Sequence, residues 1–283
     1  MRSLARVTIA LLGLTAAGCM PPSWGAGGLL HPGRRIVQRQ PDRPVETLDF
    51  EGDGGVRLRG WWFHAPGTKR GTVVSMHGVA DNRGSSIGLA DHFLAKGFDV
   101  VAYDSRAHGE SGGDACTYGY YEKKDLSRVL DRLEGKPIVL VGTSLGAAVS
   151  LQAAADDPRI AVVIAAAVFS DLRTVAGERA PFFASKGNID EALRLAEQTA
   201  KFRVDDVSPL AAAARIHVQV FLLHGERDNE TPNAHSHRVF AALHEPRKLL
   251  IVPGAGHGDS LNGGAVWREI DAWIEKALAA GAR

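Results

Sequence analysis

Apolar, β-branched runs alternate with segments of helical spacing along most of the chain, and few architectures satisfy that alternation. Val45–Phe50 and Val56–Phe63 flank the turn Gly52-Asp53-Gly54-Gly55 and predict an opening hairpin. Thr72–Met76, Val100–Tyr103, Ile138–Val141, Ile160–Phe169, Val218–Leu223 and Leu249–Val252 read as further strands. Ser86–Lys96, Tyr121–Leu133, Leu145–Ala155, Ala234–Leu243 and Ala265–Ala279 read as helices between and after them. Strand and helix in turn imply an α/β fold with a mostly parallel sheet covered on both faces. Ile160–Phe169 is the longest apolar run of the body. It falls short of the roughly 18–20 residues a membrane span requires, so polytopic membrane proteins are excluded.

The first residues follow a different logic. Arg2 and Arg6 precede the apolar stretch Val7–Ala17, which runs into Ala17-Gly18-Cys19. A basic start, an apolar core and small residues at the cut are the parts of a secretory signal. With Cys19 directly behind them, the segment resembles a bacterial lipoprotein signal, in which that cysteine is lipidated. The usual leucine three places earlier is Ala16 here, with Leu14 two further back. Residues 1–18 are thus expected to be a leader, and Cys19 a lipidated first mature residue. The chain would then be an exported, membrane-anchored lipoprotein facing the periplasm or cell exterior. Residues 19–44 turn to Pro, Gly, Arg and Gln without periodicity and read as a tether to a body over 45–283.

The second of the two cysteines, Cys116, has no partner once Cys19 is modified, and reads as a small buried hydrophobe. No metal-ligand pattern appears, and neither metal nor cofactor is expected. Lys and Arg number 33 against 32 Asp and Glu, so there is no bulk electrostatic pull on nucleic acid.

In sheets of this kind ligands bind beyond the carboxyl ends of the strands, which is where the polar residues cluster. Three segments match Gly-x-Ser-x-Gly, centred on Ser86, Ser111 and Ser144. A nucleophile elbow needs a strand running straight into the first glycine and a helix straight out of the second. Only Ser144, between Ile138–Val141 and Leu145–Ala155, has both. A serine hydroxyl requires a base, and the base an orienting acid. His257, in the loop Pro253-Gly254-Ala255-Gly256-His257-Gly258 after the last strand, is the candidate base. His77 and His224 each precede a glycine at a strand end and read as turn-shaping; His108, His235, His237 and His244 read as solvated. Two acids keep the order Ser–Asp–His: Asp171 and Asp228, of which Asp228 is favoured.

Together these residues resemble the α/β-hydrolase superfamily from about Val45 to the end. The match is carried by His77-Gly78, the segment Asp104–Ser111, Gly142–Gly146, His224-Gly225-x-x-Asp228 and Gly256-His257. Within the superfamily the chain is similar to the serine aminopeptidase-like and esterase/lipase-like branch. The resemblance implies an eight-stranded sheet and an oxyanion hole from the backbone N–H groups of Val79 and Leu145. It also implies that Asp104–Ser111 is a structural loop near the site. Residues 171–209, which break the strand–helix rhythm, fall where this fold inserts a small cap. Val175, Pro181, Phe182 and Phe183 there either pack the cap onto the sheet or roof an acyl pocket.

The expected activity is that of a serine hydrolase acting on a carboxylic ester or related small acyl compound. Peptidase, thioesterase and acyltransferase activities would use the same three residues, and a non-catalytic binding module is the rival from another class. Between Asp171 and Asp206 seven acids face six bases, a balance that offers no field for a peptide's α-ammonium group. Oligomeric state is not legible.

Overall fold

A computed structural model describes residues 21–133 and 137–281. The leader and Cys19 lie outside the described residues. Eight strands form one sheet: β1 (Glu46–Glu51), β2 (Arg57–Phe63), β3 (Gly71–Met76), β4 (Phe98–Tyr103), β5 (Ile138–Thr143), β6 (Ile160–Ala166), β7 (Gln219–Gly225) and β8 (Arg247–Val252). Their order is β1-β2-β4-β3-β5-β6-β7-β8. β2 pairs antiparallel with β1 and with β4; every other pairing is parallel. The helices are α1 (Pro22–Leu30), α2 (Ile87–Leu94), α3 (Glu122–Leu130), α4 (Leu145–Ala154), α5 (Leu172–Glu178), α6 (Lys186–Ala200), α7 (Pro209–Ala213), α8 (Ala234–Ala242) and α9 (Gly264–Gly281).

The unbroken apolar character of the central strands follows from burial on both faces. Val73, Val100, Val139, Val162 and Phe221 join the cluster formed with α2 and α9. Their chain neighbours Val74, Val101, Leu140, Val163 and Leu222 join the cluster on the other side, with α3, α4 and α8. Each such side chain, fully buried, contributes about 1.5–3 kcal/mol.

The strand expected over Ile160–Phe169 stops at Ala166, because Ala167 takes φ +55° and turns the chain. Residues 171–209 hold α5 and α6 and lead into α7, each with a side-chain N-cap. Asp171 accepts from the Thr174 N–H (2.8 Å), Ser185 from Asn188 (3.2 Å) and Ser208 from Ala211 (3.0 Å).

Residues 21–44, expected to be a tether, pack on the body instead. α1 buries Ala26 and Leu30 and lies against α6. Leu30 O accepts from Cys116 N (2.8 Å), and Leu29 O from the Tyr118 hydroxyl (3.1 Å). Arg34 donates to Ser111 O (2.5 Å) and Gly113 O (2.6 Å). Asn82 Nδ2 donates to Arg35 O (3.0 Å), and Val37 is buried. The segment is therefore a strap across the loops that follow β3 and β4. Composition hid this because its holding bonds run mainly through backbone carbonyls, which any sequence supplies.

Candidate active site

β5 delivers Ser144 to the carboxyl edge of the sheet, and α4 leaves directly behind it. Ser144 sits at φ +52°, ψ −108°, a conformation that L-residues adopt only under strain from their surroundings. Its N–H donates to Ala166 O of β6 (2.8 Å), which fixes the turn. The flanking glycines have a steric cause. A β-carbon at Gly142 would collide with the Gly146 and Ala147 backbone, and one at Gly146 with the Met76 carbonyl.

Ser144 Oγ donates to His257 Nε2 at 3.0 Å, and His257 Nδ1 donates to Asp228 Oδ2 at 2.7 Å. Three distant stretches of sequence thus converge in the order a proton relay requires. The loops carrying the acid and the base are sewn together: Glu226 N donates to Val252 O (3.0 Å) and Arg227 N to Ala255 O (2.9 Å). Gly225 permits this approach, since a β-carbon there would strike the Ala255 and Gly256 carbonyls.

Asp228 is buried and accepts from every side. Oδ1 takes the N–H groups of Glu230 (3.0 Å) and Thr231 (2.8 Å), while His224 Nε2 lies 3.1 Å from Oδ2. Burial pushes its pKa up, but hydrogen bonds from His224, His257 and the Thr231 N–H outweigh that and hold the carboxyl well below the ordinary range. It remains an anion against which an imidazolium can form. His224, expected to shape a turn, does bond Thr231 O (2.7 Å). It also stands beside Asp228, and the spacing of four residues in His224-Gly225-x-x-Asp228 is the local signal of that contact.

The other candidates go elsewhere. Asp171 is the cap of α5, not a partner of His257. Ser111 Oγ donates to Asp104 O (2.6 Å) and accepts from Arg59 N (2.9 Å), which locks the loop after β4. Ser86 Oγ accepts from Ser75 Oγ (2.8 Å). His77 accepts from Ser105 N (3.0 Å) and donates to Gly78 O (2.7 Å). His108 and His235, expected in solvent, are fully buried. His235 Nε2 donates to Glu178 Oε2 (2.6 Å), and His108 Nδ1 to Arg106 O (2.8 Å). Cys116 is buried and forms no disulfide.

Ser144 and His257 open on a cavity of about 460 Å³. Val79 lines it beside Ser144. Leu145 is the first residue of α4, so its N–H has no carbonyl one turn earlier to serve and lies at the positive end of the helix. Leu89, Leu261 and Trp267 give the cavity apolar wall, while Arg35, Asp81 and Glu230 bring charge. No residue of 171–209 lines it. Val175 and Pro181 line a separate cavity of about 280 Å³ between α1, α5 and α6, and Phe182 is wholly exposed. The roof reading of these residues is thereby corrected: the strap and the loops after β3, β7 and β8 enclose the space at Ser144. Among the described residues no cluster of His, Cys, Asp and Glu is placed to hold a metal ion.

Residues 71–188 match the family described as alpha/beta hydrolase fold, and residues 196–279 the family described as TAP-like protein. The chain is 32% identical over 219 residues to YqkD of Bacillus subtilis, covering 73% of this chain and 70% of that one. Among solved structures it is similar to the esterase Pf2001 of Pyrococcus furiosus, with TM-score 0.70 and 22% identity, covering 88% of this chain and 98% of the other. An acetyl xylan esterase from Paenibacillus sp. R4 superimposes with TM-score 0.64 and 18% identity, covering 92% of each chain.

Proposed function

The chain belongs to the α/β-hydrolase family, and from that premise we propose that it is a serine hydrolase cleaving a carboxylic ester of a small acyl compound. The observation that carries the proposal is the continuous relay from Ser144 through His257 to the ionised Asp228. His257 takes the Ser144 proton as Oγ attacks the acyl carbon, and Asp228 stabilises the imidazolium that results. The carbonyl oxygen becomes an oxyanion facing the N–H groups of Val79 and Leu145; one such donor typically contributes roughly 3–4 kcal/mol. His257 then protonates the leaving alcohol. Water, deprotonated by the same imidazole, releases the acid from Ser144. The esterases among the structural neighbours support this reading.

A peptidase reading has one specific observation in its favour. The balanced charges of 171–206 do not border the cavity, but Asp81 and Glu230 do, and either carboxylate would hold an α-ammonium group. Arg35 opposes them. Fluorophosphonate labelling followed by kcat/KM for a butyrate ester and an aminoacyl anilide tests both. No labelling of the folded chain would leave a binding module. An anilide preference of about tenfold, 1.4 kcal/mol in the barrier, would replace the ester by a peptide.

The proposal includes an exported, lipid-anchored location, supported by Arg2, Arg6, Val7–Ala17 and Cys19. Stable anchoring takes more than one acyl chain. Membrane partition of the expressed chain, and its loss or an uncleaved precursor in Cys19→Ser, tests this.

A further inference from the structure

Four large apolar side chains stand exposed on the described surface, and three of them adjoin. Phe182 is 100% exposed, Trp24 71%, Ile36 70% and Phe183 57%. Trp24 lies on α1 between Pro22 and Gly25, while Phe182 and Phe183 lie between Pro181 and Ala184. All four flanking residues line the same cavity, so the start of α1 and the turn before α6 adjoin. Ile36 lies apart, on the strap beside Val37, which packs into the cluster with α2 and α9.

A contiguous exposed aromatic patch is costly to leave in water and marks a contact surface. Its place in the chain says what covers it: α1 begins at Pro22, three residues after Cys19 and five after the apolar stretch Val7–Ala17. Two or three extended residues span about 7–10 Å, so anything that fixes Cys19 at a membrane brings Trp24 to the same surface.

We propose that the face formed by α1 and the Pro181–Ala184 turn docks on a lipid bilayer, with Trp24, Phe182 and Phe183 seated at headgroup depth. Trp and Phe suit that depth because their rings bury apolar area at the boundary between headgroups and acyl chains. The anchor then does more than retain the protein. It sets one orientation, with α1 and the cap against the membrane and α9, on the opposite face of the sheet, turned away. The inference shares the membrane setting of the anchor proposal, but it concerns a different surface and is separable from it.

The full chain is incorporated into vesicles of phosphatidylethanolamine and phosphatidylglycerol with p-benzoylphenylalanine at Phe182, at Phe183 or at exposed Lys276 of α9, and irradiated. Burying one phenylalanine ring favours the inserted state roughly tenfold or more. Phospholipid adducts at 182 and 183 should therefore exceed those at 276 by about that factor. Equal labelling at the three positions, or adducts only to a second copy of the protein, would overturn the docking face. A chain that floats with the vesicles yet gives no lipid adduct at 182 keeps its anchor and loses this face. Lipid adducts that persist at 182 after Cys19→Ser show the face acting without the anchor. Phe182→Ser/Phe183→Ser, confined to exposed positions, should hydrolyse a soluble short ester at the wild-type rate; lost activity in that variant would mean that the turn serves the fold and not the bilayer.

Discussion

The α-carbon of Gly146 is packed so closely over the carbonyl of Met76 that a β-carbon there would lie 2.2 Å from its oxygen, far inside van der Waals contact. Gly146 N at the same time donates to His77 O (3.1 Å). The elbow and the end of β3 are thus pressed together backbone to backbone. Gly146→Ala must separate them, and overpacking of this kind typically costs 1–3 kcal/mol, occasionally more. Lower thermal stability together with lost fluorophosphonate labelling is expected, while Gly88→Ala, with open space around it, should change neither.

Ser144→Ala should reduce turnover by a factor on the order of 10⁴ or more and abolish labelling. Ser86→Ala and Ser111→Ala should keep the labelling. Ser111→Ala should nonetheless be less stable by about 1–3 kcal/mol, because Arg59 N and Asp104 O lose a shared partner. Ser144→Gly, relieved of strain at φ +52°, should melt higher than Ser144→Ala by roughly 1 kcal/mol. Labelling that survives Ser144→Ala would refute the assignment.

The two aspartates are separable by one substitution each. Asp228→Asn should lower kcat by a factor on the order of 10⁴, since the amide no longer holds His257 in the productive tautomer. Asp171→Asn retains a cap acceptor and should leave kcat unchanged. Asp171→Ala should lose about 0.5–2 kcal/mol of stability without a kinetic phenotype.

Acid should destabilise the protein through His108. Burial first, then the neighbouring His77 ring at 5.1 Å, lowers its pKa to about 4, against 6.5 in an open chain. Between those values the unfolded state binds more protons, so stability is full above pH 6.5 and falls toward pH 4. The drop is on the order of 3 kcal/mol. Burial lowers the His77 pKa as well, adding in the same direction. Urea midpoints at pH 7 and pH 4.5 should differ less in His108→Gln than in wild type.

Arg83 is buried with its guanidinium on Asp104 and on Glu110, and it stacks 4.6 Å from the Trp61 ring. Asp104, also buried, keeps only the N–H groups of Arg83 and Glu110 if that charge is removed. Arg83→Met should cost about 3–5 kcal/mol, and Arg83→Met/Asp104→Asn markedly less. Chemical denaturation of both variants reads the difference.

What could be read from the sequence followed from periodicity and punctuation. The runs around Val73, Val100, Val139 and Val162 announce strands because burial on both faces removes polar residues from them. The three serine motifs could be separated because a strand and a helix flank only Ser144, and the structure brings that serine to His257 and Asp228. Other features left no local trace. The burial of His108 and His235 arises from chain segments packed over them, which no window around either residue contains. The cavity at Ser144 takes its charged lining from Arg35, Asp81 and Glu230, three residues far apart in sequence. The strap escaped for a similar reason: α1 reads Pro-Ser-Trp-Gly-Ala-Gly-Gly-Leu-Leu, and only Ala26 and Leu30 are buried in it.

That strap also constrains the order of assembly. Its bonds to Ser111, Gly113, Cys116 and Tyr118 join positions about 80 residues apart, and loop closure over n residues costs roughly (3/2)RT ln n before any contact is gained. The residues that leave the ribosome first therefore cannot seat until β3, β4 and the loops behind them have been made. Until then the amino-terminal segment is free of the body. The wall that Arg35 gives the cavity at Ser144 is therefore completed only when the strap seats.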